Sequence, residues 1–236
     1  MRIISMMNHK GGVGKTTSVA TMGVILAKKN KKVLVIDLDF QENLTYIFQD
    51  DRDFSDCNIA SFFAEEKTLE EVIHSTRIKN LDIIPASSEL SEQEPPEKLS
   101  FSKYDYDYVF FDTPPYISDL TLMALLSSSD VLIPFEISML AVKGISKMRE
   151  SINVAREYNE KLKVLGIFPS RVNKIHVANN IVKSELPTDF PFISVDIPVS
   201  ADVNNAYLIG ETVYEYKKSG KVTKAYIELI KEVFDE

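Results

Sequence analysis

The 236-residue chain is 44% apolar and 26% charged, a balance that suits a folded globular protein and excludes an extended disordered one. Its single cysteine, Cys57, excludes a disulfide framework, a four-cysteine zinc site and an in-chain iron–sulfur cage, and reads as a small packed residue. The net charge of 27 − 35 = −8 restricts any polyanion-binding surface to a local patch.

Short apolar runs alternate with helical periodicity along the whole chain. Residues 2–7 read as a strand, and Thr16 to Lys29 as a helix with Val19, Met22, Ile25 and Leu26 on one stripe. Further strands are predicted at Lys32–Leu38, Leu81–Pro85, Tyr108–Asp112, Val131–Phe135, Val164–Phe168 and Phe192–Ile197. Helices are predicted near 68–76, 119–127, 141–158, 176–186 and 222–234. Segments such as VLVID and YVFFD are apolar on both faces, as strands of a parallel sheet covered by helices must be. The alternation predicts an α/β fold, a doubly wound, mostly parallel sheet with helices on both faces, in one domain over 1–236. The irregular stretch 87–103 reads as a helix and a surface connection, and the Tyr104–Tyr108 run of alternating Tyr and Asp as the entry to a strand. No run approaches the ~20 apolar residues of a membrane span and no signal peptide is visible, so a cytoplasmic protein with no membrane partner is expected. His9, His74 and His176 have no metal-like spacing.

The chemistry is concentrated in His9-Lys10-Gly11-Gly12-Val13-Gly14-Lys15-Thr16-Thr17, between the first strand and the first helix. That is the setting of a phosphate-binding loop. Gly11, Gly12 and Gly14 permit a sharp turn that brings bare N–H groups to phosphate oxygens, and the following helix adds its positive end. Lys15 would neutralise the β and γ phosphates, and the Thr16 hydroxyl would bind Mg²⁺. The pattern G-x-x-x-x-G-K-[ST] departs at its first glycine, where His9 stands.

The form K-G-G-V-G-K-T-T, with an early second lysine, resembles the deviant Walker A motif of the ParA/MinD family of ATPases. Val33 to Gln41 is similar to that family's second strand and first switch, and Val109 to Pro115 to its Walker B strand and second switch. Ile197-Pro198 is similar to its nucleotide-base loop. The resemblance implies ATP and Mg²⁺ as cofactors, held by Lys10, Gly11, Gly12, Val13, Gly14, Lys15, Thr16 and Thr17, with Asn173 and Pro198 toward the base. It implies that Lys10 reaches across an ATP-bound homodimer to the partner's phosphates. Asp39 would orient the attacking water, and Thr16, Asp39 and Asp112 would form the magnesium side. Phosphoryl transfer needs positioning and positive charge more than a covalent nucleophile, which agrees with those roles. The family's common switch has proline and glycine where this chain has Phe40 and Glu42.

Within the family, nitrogenase iron proteins need cluster cysteines, the tyrosine kinases end in a tyrosine cluster, and MinD-type proteins end in a basic membrane-binding helix. Here the last helix closes on Glu232, Asp235 and Glu236, and its apolar stripe reads as packed. Few residues precede Lys10, so no N-terminal helix-turn-helix is expected. The chain therefore looks like the short ParA/Soj type. That resemblance implies partition of plasmid or chromosomal DNA by an ATP dimer that binds DNA nonspecifically, associates with the nucleoid, and answers to a ParB-like centromere-binding protein. Lys183, Lys217, Lys218 and Lys221 would be the DNA contacts. The alternative is a related ATPase that positions a protein cargo with little DNA binding.

Overall fold

A computed structural model describes residues 1–173 and 185–235. The strands β1 (Arg2–Met6), β2 (Val33–Asp37), β3 (His74–Ser75), β4 (Leu81–Ile84), β5 (Tyr108–Asp112), β6 (Asp130–Phe135) and β7 (Lys163–Pro169) form one sheet in the order β3-β4-β2-β5-β1-β6-β7. Every neighbouring pair is parallel except β3 with β4 at the edge. The described helices are α1 (Lys15–Lys28), α2 (Asn43–Gln49), α3 (Ile59–Phe63), α4 (Asp119–Ser127), α5 (Met139–Tyr158), α6 (Ala201–Leu208), α7 (Val213–Tyr216) and α8 (Lys221–Phe234).

Side chains alternate across the sheet, and each face has its own core. Val33, Val35 and Phe110 pack with α1, α2 and α8, while Leu34, Ile36, Val109 and Phe111 pack with α3 and α4. A third cluster joins β6 and β7 to α5. All five residues of β2 and of β5 are therefore buried, as their unbroken apolar runs require. The apolar stripe of α8 lies on α1, where the Tyr226 phenol meets the Ser18 hydroxyl at 2.9 Å, so the last helix is a packed one.

Two predicted elements are corrected. Residues 68–76 do not form a helix: the Thr68 amide and hydroxyl both donate to the Glu71 carboxylate in a local turn, and His74–Ser75 pair with β4. Phe192–Ile197 is not a strand, although it follows the sheet edge with single contacts such as Ile193 N–H to the Ile167 carbonyl at 2.9 Å. Pro191 and Pro198 flank it and remove ladder donors. A Cβ on Gly166 would stand 2.6 Å from Ile193, so that glycine admits the segment. The predicted helix near 176–186 falls mainly outside the described residues.

The register aligns Asp112, at the end of β5, with Met6 on one side and Asp37 on the other. Two carboxylates and the loop after β1 thus meet at the carboxyl edge of the sheet, where ligands of open α/β sheets bind.

Candidate functional site

Gly12 and Gly14 carry the positive φ of the loop after β1, at 73° and 93°, and α1 starts on Lys15 with Gly14 as its cap residue. A side chain at Gly14 would be strained there and would approach Ser170 Oγ within 2.9 Å. The loop borders a cleft of about 340 Å³, whose near wall is Gly11, Gly12, Gly14, Lys15, Thr16 and Thr17. Pro198, Val199, Ser200, Val203 and Tyr207 form the far wall, with Asp39 and Asn43 between.

Lys15 is buried, and burial lowers its pKa against the opposing pull of Asp112 and Asp39. A desolvated ammonium at a helix N-terminus is costly alone and suits a polyanionic ligand. Val13 is buried beneath the loop. The His9 imidazole has its Nε2 buried without a partner among the described residues, and burial with Lys15 and Lys147 nearby holds its pKa low.

The three acidic side chains have separate environments. Asp37 is fully buried and accepts from the Thr45 amide and hydroxyl, both at 2.8 Å, and from the Asp39 amide at 3.0 Å. It organises the backbone around it. Asp39 lines the cleft and, among the described residues, accepts only the Gln41 amide in its own turn; the residue at the N-cap position of α2 is Glu42, not Asp39. Asp112 is buried, and among the described residues neither of its oxygens has a hydrogen-bond partner. Burial and the neighbouring Asp37 push its pKa up to about 8, against Thr16 and Lys15, which favour the charged form. An orphaned buried carboxylate beside a threonine hydroxyl is a donor set that fits Mg²⁺, a hard cation with oxygen ligands.

Lys10 lies outside this wall. Its ammonium pairs with Glu136, at the end of β6, at 2.5 Å, with both side chains partly exposed. Asn173 is exposed and absent from the cleft wall, where Ser170 and Arg171 stand instead. Lys217, Lys218 and Lys221 are exposed around the α7–α8 connection, and Lys224 follows one turn later. Lys217 pairs with Asp202 of α6 at 3.2 Å. Lys183 lies outside the described residues.

Sequence reasoning missed Asn43, Ser170, Arg171 and Tyr207. Asn43 begins a helix too short for periodicity to register. Arg171 holds φ at 56°, which its residue type does not advertise. Glu42 shares that left-handed backbone, with φ at 56°, so the position where the family has glycine keeps the glycine conformation.

The AAA domain family model matches residues 1–164. The chain is 28% identical to the sporulation initiation inhibitor protein Soj of Bacillus subtilis, with 98% of each chain covered. The septum site-determining protein MinD of Pyrococcus horikoshii, solved with Mg-ADP, superposes with a TM-score of 0.85 at 25% identity, covering 99% of this chain and 96% of that one. A putative plasmid partition protein of Borrelia burgdorferi bound to AMPPNP superposes with a TM-score of 0.76 at 25% identity, covering 97% and 99%.

Proposed function

This chain belongs to the AAA domain family and, within it, to the ParA/MinD P-loop ATPases, and on that premise we propose that it is a ParA/Soj-type partition ATPase. Its cofactors are ATP and Mg²⁺. The observation that carries the catalytic reading is the meeting of a left-handed glycine turn, a buried Lys15 and an orphaned Asp112 at one cleft.

In this reading the loop amides and Lys15 bind the β and γ phosphates, with the α1 dipole adding to their field. Thr16 and Asp112 would hold the magnesium ion, with Asp39 on the same side, and the ion when bound supplies charge neutralisation to the phosphates. Asp39, with no partner outside its own turn among the described residues, orients the attacking water. Lys10 leaves Glu136 to reach the phosphates bound by a second protomer, so that ATP drives a homodimer. Pro198 would border the base, and Asn173 is not among the residues that line the cleft.

The ATP dimer binds DNA without sequence preference through Lys217, Lys218 and Lys221 on each protomer, which associates it with the nucleoid. A ParB-like partner stimulates hydrolysis and release. The whole chain serves as one ATPase domain. One observation favours the protein-cargo alternative: Asp202 already neutralises Lys217. Anisotropy on random-sequence duplex DNA, with ATP and with ADP across a salt series, tests the assignment. ATP-dependent binding that weakens steeply with salt is expected. No binding with ATP at low salt would select the protein-cargo reading.

A further inference from the structure

Tyr207 and Asn43, from different elements, both line the cleft. The Tyr207 phenol donates to Asn43 Oδ1 at 2.8 Å, and its ring lies against that of Tyr46 with centroids 5.0 Å apart. The Tyr46 phenol donates back to the Leu208 carbonyl at 3.4 Å. Three contacts therefore fasten α6, which follows the Pro198 segment, to α2, which follows the Asp39 loop.

The α2 end is itself anchored. Asp37 grips Thr45, between Asn43 and Tyr46, through both amide and hydroxyl. Immediately before the helix, the Glu42 amide donates to the Asp39 carbonyl at 2.8 Å. A displacement of α2 cannot leave the Asp39 loop where it is, because that loop is bonded to the same helix start.

We propose that Tyr207 is a positioning residue. With Asn43 and Tyr46 it clasps the far wall of the cleft to the Asp39 loop, so that filling the nucleoside end sets the place of the carboxylate at the phosphate end. The inference rests on ATP occupying this cleft and is independent of whether the cargo is DNA or protein. Phosphates alone meet only the loop after β1. A nucleoside also presses on the α6 wall, and the clasp converts that pressure into the position of Asp39. The contacts are few, so the coupling should be worth about two- to tenfold in rate, the span of one or two ordinary hydrogen bonds.

The chain contains no tryptophan, so F40W places a single tryptophan, excited selectively over the ten tyrosines, beside Asp39. ADP and pyrophosphate fill the phosphate loop alike and differ in the nucleoside. In the F40W protein, saturating ADP and saturating pyrophosphate should give different emission, and the difference should vanish on adding Y207F or N43A. In the native background each of these two substitutions should lower kcat for ATP about two- to tenfold, with unchanged melting temperature. The double variant should be no slower than the slower single, because both break one unit. Identical emission with the two ligands, or a difference that survives both substitutions, overturns the proposal. So does a rise in KM with kcat intact, which would make Tyr207 a wall contact only. If Y207F lowers the melting temperature, N43A, which keeps both rings, decides alone. Failure of the native protein to bind ADP would refute the nucleotide site itself, a distinct result.

Discussion

Lys10 Nζ stands 2.5 Å from Glu136 Oε2, and the two side chains remain about half exposed. A solvated ion pair of this kind contributes roughly 0–1 kcal/mol, so the lysine can exchange Glu136 for a phosphate at little cost. The resting protomer thus holds the lysine near the site without committing it. Lys10→Ala should bind ATP with near-native affinity yet stay monomeric. Asp39→Ala should bind ATP, dimerise and hydrolyse slowly, accumulating the dimer. Light scattering with ATP and Mg²⁺ separates the two, and normal dimerisation of Lys10→Ala would remove the cross-subunit role.

Lys15→Ala acts earlier. The ammonium is buried on the cleft wall with Asp112 and Asp39 nearby. Removing it should weaken ATP binding by roughly thirtyfold or more, as expected for deleting one partner of a buried charge pair. Titration with a fluorescent ATP analogue measures this, and unchanged affinity would mean that the glycine turn serves another ligand.

Asp112 makes the magnesium-free protein sensitive to pH. Its carboxyl is raised to about 8 in the folded chain by burial and by Asp37, so the fold holds a proton that the unfolded chain has released. Folding stability without nucleotide should therefore fall as pH rises from about 4 to 8. Asp112→Asn should flatten that slope and raise the melting temperature at pH 8 by at least about 2–4 °C, the change expected for 1 kcal/mol in a chain of this size. The same substitution should abolish magnesium-dependent ATP binding. A steeper slope in the variant would show that Asp112 is ionised in the folded state.

Glu42 occupies a left-handed backbone at φ 56°, at a cost of about 1–2 kcal/mol for a residue with a Cβ. Glu42→Gly relieves that strain while adding freedom to the unfolded chain, for a net gain of up to about 1 kcal/mol. Urea denaturation reads the change. A loss of stability would indicate that the Glu42 side chain holds the Asp39 loop in place.

Asp202 and Lys217 give a test of the DNA surface with opposite signs. Removing Lys217, Lys218 and Lys221 together should weaken ATP-dependent DNA binding and reduce the log–log salt slope by about one unit per lysine and patch. Asp202→Asn should release Lys217 from its partner and strengthen binding at equal salt. DNA affinity indifferent to both changes would place the DNA contacts elsewhere on the protein.

The local rules were legible in the chain itself. The runs VLVID and YVFFD announced doubly covered strands because residues buried on both faces leave no polar position. The phosphate loop was legible because Gly12, Gly14, Lys15 and Thr16 fall within five successive residues and their chemistry depends on proximity in the chain. The resemblance also set Asp39 and Asp112 near strand ends and implied water and magnesium roles for them, without showing what surrounds each carboxylate. Only the tertiary structure did that: parallel pairing of β2 and β5 sets Asp37 beside Asp112, Thr45 saturates the first, and no described residue saturates the second. The far wall of the cleft was equally hidden, since Tyr207 and Asn43 stand 164 positions apart and meet only when α6 folds over α2. Residues 68–76 and Phe192–Ile197 were misread for a different reason: a local Thr68–Glu71 turn and the flanking Pro191 and Pro198 overrode the apolar pattern. Contacts that follow the chain are written in its order, whereas burial and partnership across the sheet arise from packing that no single segment specifies.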